Sequence, residues 1–163
     1  MVPNYGARLA AGVGAAFVVI GFFLPWLDGT AEFAARDFSG FDFARLIRNF
    51  EITAESQSEA GQIRATALLI YLMPALVVNS AILRLVRRAV GIPATVVAYS
   101  SVVAGGYGLV LLSALVFLSV VEVNEFAVVV GAPQYGFLIT ALGCAVLLGA
   151  GLARLPYRRA ARS

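Results

Sequence analysis

Four long apolar segments dominate this chain, and each is long enough to cross a lipid bilayer. They cover residues 9–27, 67–86, 96–121 and 137–155. As an α-helix, the first segment would extend about 28 Å, close to the roughly 30 Å hydrocarbon core of a membrane. It is also longer than the apolar part of a signal peptide, so we expect a membrane span. Hydrophobic residues make up 61% of the chain, which excludes a soluble domain, where the share is roughly 45 to 50%.

The charged residues divide between the segments that connect these runs. All nine acidic residues lie within residues 28–59 and 122–125. Eight of the twelve arginines lie in the other connections or near the chain ends: Arg8, Arg84, Arg87, Arg88, Arg154, Arg158, Arg159 and Arg162. Short arginine-rich loops stay in the cytoplasm. We therefore predict cytoplasmic termini and place the two acidic stretches on the outer side of the membrane.

These features together predict an all-α membrane protein, an antiparallel four-transmembrane-helix bundle that forms a single domain over residues 1–163. The predicted helices cover residues 9–27, 57–88, 96–121 and 137–155. The predicted outer loops are residues 28–56 and 122–136, the inner loop is 89–95, and the inner tail is 156–163. Pro25 and Trp26 close the first run, where proline can end the helix and the indole favours the lipid headgroup layer.

The first outer loop contains an amphipathic segment. Ser39 precedes Asp42 by three residues, which is the spacing of a helix-capping box. Apolar residues then recur at helical spacing, at Phe43, Leu46, Ile47 and Phe50. We predict a short helix whose apolar face packs over the outer mouth of the bundle, with contact to a partner protein as the alternative. Residues 30–38 and the second outer loop are candidates for short strands, which would complete a small extracytoplasmic cap.

The composition excludes several kinds of catalytic and metal-binding site. The sequence has no histidine, and its one cysteine, Cys144, lies inside an apolar run. Intramolecular disulfides, imidazole ligation of zinc or haem, and His-dependent nucleophiles are therefore excluded. We expect no catalytic residue, no cofactor and no metal. A lipid enzyme with a metal on Asp28, Asp37 and Asp42 is a third possibility, but their irregular spacing in a loop is typical of solvated carboxylates.

Small and polar residues inside the runs are candidates for helix packing. A ridge of small residues recurs every four positions in the fourth helix, at Ala141, Ala145, Gly149 and Ala153. It suits close packing against another helix, either of a partner or of the chain's own bundle. In the third helix, Gly105 and Gly108 would let a neighbouring backbone approach closely. Asn79 is expected to form hydrogen bonds between helices. The candidate partners of Asn79 are Thr140, Ser100, Ser101 and Ser113.

Three motifs carry a resemblance to known proteins: LPWLDG at residues 24–29, SGFDFARL at 39–46 and YGFLITALGCAVLLGAGL at 135–152. Their combination resembles a pattern in uncharacterised bacterial four-helix membrane proteins. The order of a long outer loop, a short inner loop and a shorter outer loop is similar to that of claudin-like tetraspans. The chain lacks the paired loop cysteines and the glycine-leucine-tryptophan element of claudins. The resemblance implies an outer cap of strands and a helix.

Two classes of function stay open. The first hypothesis is a non-enzymatic accessory or scaffolding subunit of a membrane complex, or a homo-oligomer. Its partners would be the lipid bilayer and other membrane subunits or its own copies, with no nucleic acid. The alternative is a small-solute or lipid transporter or channel, with Asn79, Tyr99, Tyr107 and the glycines of 104–108 along the path. Arginine without lysine is typical of a GC-rich prokaryotic genome, so we expect a bacterial cytoplasmic membrane.

Overall fold

The architecture is a bundle of long helices with a short helix and a strand pair at one end. The computed structural model describes residues 5–27, 37–50, 57–120 and 134–155. The elements in chain order are α1 (Tyr5–Phe23), β1 (Pro25–Leu27), β2 (Phe38–Ser39), α2 (Gly40–Phe50), α3 (Gln57–Val90), α4 (Ala94–Val120) and α5 (Tyr135–Leu152). Four of them, α1, α3, α4 and α5, are long and apolar enough to cross a membrane. The predicted four-helix, mainly helical fold is confirmed at this level.

The first helix ends earlier than predicted. It stops at Phe23, because the ring of Pro25 disfavours a helical conformation at the preceding residue. Residues Pro25–Leu27 form β1, which pairs antiparallel with β2 so that Pro25 lies opposite Ser39. Of the strand predicted over residues 30–38, Phe38 lies in β2, and residues 30–36 lie outside the described part of the chain. The strand predicted in the second outer loop falls largely on residues 121–133, outside the described part of the chain.

Trp26 lies inside the protein, which corrects the prediction of an indole in the headgroup layer. Its side chain is 1% exposed, and its Nε1–H donates to the carbonyl oxygen of Gly21 at 2.9 Å. The rings of Phe22 and Phe137 meet it edge to face, each at a centroid distance of 5.7 Å. The strand pair and α2 fold over this position, so the protein itself surrounds the indole that the sequence pattern assigned to lipid.

The short helix α2 begins at the predicted capping box. The N–H of Asp42 donates to Ser39 Oγ at 3.1 Å, and the N–H of Ser39 donates to the Asp42 carboxylate at 3.3 Å. Phe43 is buried and Ile47 packs against the core cluster, and α2 lies on α3 and α1. The side chains of Leu46 and Phe50 lie outside the described residues. The described part of the predicted face therefore contacts the chain's own bundle.

The four long helices form a square in which each helix is antiparallel to both of its neighbours. The neighbouring pairs are α1 with α5, α5 with α4, α4 with α3, and α3 with α1. This order places α3 and α5 on a diagonal. The core between them contains large apolar side chains that are less than 1% exposed, among them Val18, Ile70, Met73, Val77 and Leu147.

Glycines set the distance between α5 and its two neighbours. Gly14 of α1 faces Gly143 of α5, and a Cβ atom added to Gly143 would lie 2.7 Å from the Gly14 carbonyl oxygen. On the other side of α5, a Cβ added to Gly105 would lie 2.5 Å from the Cys144 carbonyl oxygen, and Gly108 packs on the Cys144 side chain. These distances are too short for a side chain, so the backbones touch directly.

A tight turn joins α3 to α4. Gly91 adopts a positive φ of 72°, which glycine does without steric cost. The N–H of Ile92 then donates to the Arg87 carbonyl at 3.1 Å, as in a Schellman cap. The turn covers residues 91–93, shorter than the predicted inner loop of 89–95. It holds the last turn of α3 next to the first turn of α4.

Candidate functional site

The ends of the long helices meet around a cleft rich in arginine. We call this end of the bundle, where α1 and α4 begin and α3 and α5 end, the arginine end. Four arginines line a cleft of about 290 Å³ there: Arg8 of α1, Arg84 and Arg87 of α3, and Arg154 just after α5. The rest of the lining is small or apolar and comprises Gly12, Ala15, Ala81, Leu85 and Val97. We call this feature the arginine cleft.

A serine network holds Arg84 in place. An Nη2–H of Arg84 donates to Ser101 Oγ, and Ser101 Oγ donates to the Val97 carbonyl at 2.8 Å. Ser80 of α3 joins the network, with its Oγ 3.2 Å from the Oγ atoms of both Ser101 and Ser100. Ser80 and Ser101 are each 1% exposed. The network connects α3 to α4 and includes Arg84, which lines the cleft.

The other arginines of the cleft are less constrained. Arg87 Nε–H donates to the Ile92 carbonyl at 3.3 Å. Burial lowers the pKa of Arg154 below its ordinary value, and the positive charges of Arg87 and Arg8 lower this pKa further. Within the described residues, the side chains of Arg8 and Arg154 make no hydrogen bond or ion pair. The charges at this end therefore repel one another.

None of the nine acidic residues is placed by the sequence at the arginine end. Glu59 lies in the first turn of α3, at its opposite end, and the other eight belong to the segments between α1 and α3 or between α4 and α5. Among the buried side-chain nitrogen and oxygen atoms that the structure describes, Arg84 Nε is the one without a hydrogen-bond partner. Within the part of the chain that the structure describes, the arginine cleft thus offers N–H donors and positive charge, and no carboxylate lies beside them.

The predicted ridge of small residues on α5 has the wrong register for packing inside the chain. A Cβ added to Gly149 would meet nothing within 4 Å, and Ala145 and Ala153 are exposed while Ala141 is half-buried. The positions of α5 that do approach other helices closely are Gly136, Thr140, Gly143, Cys144 and Gly151. Small residues do recur every four positions along α5, but a different side of the helix faces the inside of the bundle. That side is the one against which α1 and α4 both pack.

Asn79 also differs from the prediction. It lies on the exposed surface of α3, while its neighbour Ser80 makes the hydrogen bonds to Ser100 and Ser101. Of the other predicted partners, Thr140 Oγ1 donates to the Gly136 carbonyl of its own helix at 2.8 Å, and Ser113 is exposed. The polar contact between α3 and α4 was predicted one residue away from its true position.

An exposed row of residues runs along α3 through Asn79. Its members are Leu68, Leu72, Ala75, Asn79, Ile82 and Val86, all of which are exposed. The spacing alternates between four and three residues, as in the contact positions of a coiled coil. Asn79 is the one polar member. We call this row the α3 seam.

The residues of the predicted transport path do not meet in one cavity of the described structure. Tyr107 Oη–H donates to the Leu69 carbonyl at 2.6 Å, Tyr99 is 58% exposed, and Gly105 packs on Cys144.

The predicted metal-binding carboxylates are also separate in role. Asp42 caps α2, Asp37 accepts a hydrogen bond from Gln134 at 3.4 Å, and Asp28 lies outside the described residues.

The arginine cleft was missed because its arginines were interpreted only as a sign of topology. One signal was available. Ser80, Arg84 and Arg87 follow one another at intervals of four and three, which places them on the same face of a helix. A polar face of this kind at the end of an apolar helix indicates a contact with something polar.

No family model, no curated protein and no solved structure matches this chain.

Proposed function

We propose that this chain is a non-enzymatic, multi-pass membrane protein that acts by assembly, with the arginine end in the cytoplasm. Its α3 seam would be the docking surface, and a second copy of the chain its occupant. Assembly as an accessory subunit of another membrane complex is the broader form of the same function. The observation that carries the proposal is Asn79, an amide exposed on an otherwise apolar helix face.

Depth in the membrane makes the exposure of Asn79 significant. It lies eight residues before Arg87 and fifteen after Arg64, the two limits of the apolar part of α3. At about 1.5 Å per residue, these separations are about 12 and 22 Å, which places Asn79 within the hydrocarbon layer. Lipid tails offer no hydrogen-bond partner, so an amide at this depth is favourable only when another polar group meets it.

A second copy supplies that partner by symmetry. Two copies inserted with the same topology place Asn79 at the same depth, so the two amides can face each other across a twofold axis. An amide has both a donor and an acceptor, so the pair can exchange two hydrogen bonds. A single asparagine in a seam of alternating spacing selects this register in coiled coils.

The rest of the seam supports packing beside Asn79. Leu72 is 42% exposed and Ile82 is 49% exposed, and Ala75 provides a small position between them where the two helices can approach. The other face of α3 is occupied by the core of its own bundle, through Ile70, Met73 and Val77. The helix therefore has one face for its own chain and one for a partner.

Replacement of Asn79 by leucine tests the proposal. In a mild detergent we expect the wild type to be a dimer by mass measurement, and the Asn79→Leu variant to dissociate about 3- to 30-fold more readily, since interhelical hydrogen bonds contribute about 0.6 to 2 kcal/mol. A cysteine at Ala75 should crosslink to its symmetry mate on oxidation. A cysteine at Val103, which is 55% exposed on α4, is the control and should not.

Two results would contradict assembly through this seam. One is a dimer that Asn79→Leu leaves unchanged, with crosslinking at Val103 equal to that at Ala75. The other is a wild-type protein that is monomeric in mild detergent and recovers no stoichiometric membrane subunit.

A further inference from the structure

The arginine cleft concentrates positive charge that the assembly proposed above does not use. Its four arginines come from three helix ends and share a volume of about 290 Å³. In the described structure no carboxylate lies among them, and the acidic residues all belong to segments at the opposite ends of the helices. Repulsion between like charges held close together raises the free energy of the folded protein. An anion bound between the arginines is attracted to each of them and offsets this repulsion.

The orientation of the donors suits a phosphate group. A guanidinium has five N–H donors in a planar fork that matches the oxygens of phosphate. Arg84 is held by Ser101, and Arg87 is held by the Ile92 carbonyl of the α3–α4 turn. Two of the four arginines are thus oriented before a ligand arrives. Arg8 and Arg154 keep their donors available among the described residues.

The cleft continues from the arginines toward the hydrocarbon layer. Its deeper wall contains Ala15 and Ala81, and Gly12 lies between Ala15 and Arg8 along α1. Ala15 lies seven residues after Arg8, about 10 Å along the helix axis. A ligand that has a phosphate at one end and an apolar chain at the other would contact both parts. A free phosphate ion would contact the arginines alone.

We propose that the arginine cleft binds an anionic phosphate group, and that its source is the headgroup of an anionic phospholipid, with the acyl chains along the apolar wall. A soluble phosphate compound is the other source of the same chemistry. The proposal is independent of assembly through the α3 seam, because the seam and the cleft use different residues of α3. Basic clefts between membrane helices on the cytoplasmic side are suited to such headgroups.

Lipid titration of the full chain tests the proposal. The protein is kept in an uncharged detergent and titrated with phosphatidylglycerol, phosphatidylcholine, inorganic phosphate or glycerol 3-phosphate. Native mass spectrometry counts bound molecules, and thermal unfolding reports their effect on stability. We expect one phosphatidylglycerol per chain and a higher Tm, with much weaker binding of zwitterionic phosphatidylcholine.

A charge-matched pair of variants separates the cleft from general electrostatics. The double variant Arg8→Gln, Arg154→Gln should lower the affinity for phosphatidylglycerol about 10- to 100-fold, the loss expected for charge-assisted hydrogen bonds. Its Tm without lipid should be unchanged or higher, because repulsion is removed. The control Arg45→Gln, Arg48→Gln removes two exposed arginines of α2 and should leave binding unchanged. The single variant Arg8→Gln replaces the double variant if the latter is not recovered folded.

The outcomes distinguish the sources of phosphate and can overturn the site. Equal stabilisation by glycerol 3-phosphate and phosphatidylglycerol would overturn the lipid assignment and leave a site for soluble phosphate compounds. Equal binding of both lipids, or an equal loss of binding in the two charge variants, would overturn the cleft as an anion site. The dimer measurement on Asn79→Leu is unaffected by any of these results.

Discussion

The diagonal helices α5 and α3 have similar hydropathy and very different surroundings. In the membrane-length part of α5, 44% of the residues are buried inside the protein, against 28% in α3. Two neighbours contact α5 through glycines, whereas α3 meets its neighbours through larger side chains and serines. Three glycines of α5, Gly136, Gly143 and Gly151, pack within the chain. The exposed amide of Asn79 and two of the four cleft arginines, Arg84 and Arg87, belong to α3, so both proposed contacts involve this helix.

We expect the largest loss of stability from a substitution at the close contact between α1 and α5. Gly143→Leu places a side chain where even a Cβ would lie 2.7 Å from the Gly14 carbonyl. We expect a loss of about 3 kcal/mol or more, or failure to fold. Gly149→Leu is the matched control on the same helix, where a Cβ meets nothing within 4 Å. Thermal unfolding in detergent measures both, and equal loss in the two variants would mean that α5 is rotated from the described position.

A smaller effect distinguishes the two faces of α3. Met73 is fully buried and Leu72 is 42% exposed. Met73→Ala opens a cavity in the core and should lower the free energy of unfolding by about 2 kcal/mol or more. Leu72→Ala should leave the stability of the isolated chain nearly unchanged, while weakening the dimer. A stable Met73→Ala protein beside a destabilised Leu72→Ala protein would show that the faces of α3 have been interchanged.

The smallest effect concerns the serine network of α3 and α4. Ser80→Ala removes a buried hydroxyl that lies 3.2 Å from those of Ser100 and Ser101. We expect a loss of about 0.6 to 2 kcal/mol, the range for polar contacts between membrane helices. Ser113→Ala, at an exposed serine of α4, serves as the control. If both substitutions leave the unfolding temperature unchanged, the network adds no stability and serves only to orient Arg84.

The ends of the elements show how much local sequence rules could predict. The capping box of Ser39 and Asp42 was predictable, because it depends on two residues three positions apart. The four helices were predictable from length and hydropathy. The end of α1 was misjudged by several residues, since Pro25 terminates the helix and the β1–β2 pair then takes over the chain. That pair joins Leu27 to Phe38 and Pro25 to Ser39, residues eleven and fourteen positions apart, whose pairing no local pattern reveals.

The helix faces show where prediction from sequence failed. Trp26 was assigned to the headgroup layer and lies buried in the protein, and Gly149, for which packing inside the chain was one of two possibilities, lies open in the described bundle. In a soluble protein, the polar residues would mark the outward face of each helix. In an apolar helix both faces are apolar, so hydropathy cannot distinguish the lipid side from the protein side.

By itself, the sequence determined the number of apolar helices, the opposite positions of acidic and arginine-rich segments along the chain, and the absence of histidine chemistry. These properties follow from composition and length, which each segment carries regardless of its neighbours. Only the tertiary structure decided that Gly143 rather than Gly149 faces α1, that Ser80 rather than Asn79 bonds to α4, and that four arginines share one cleft. Such choices depend on the rotation of each helix about its axis, and packing against the other helices sets that rotation.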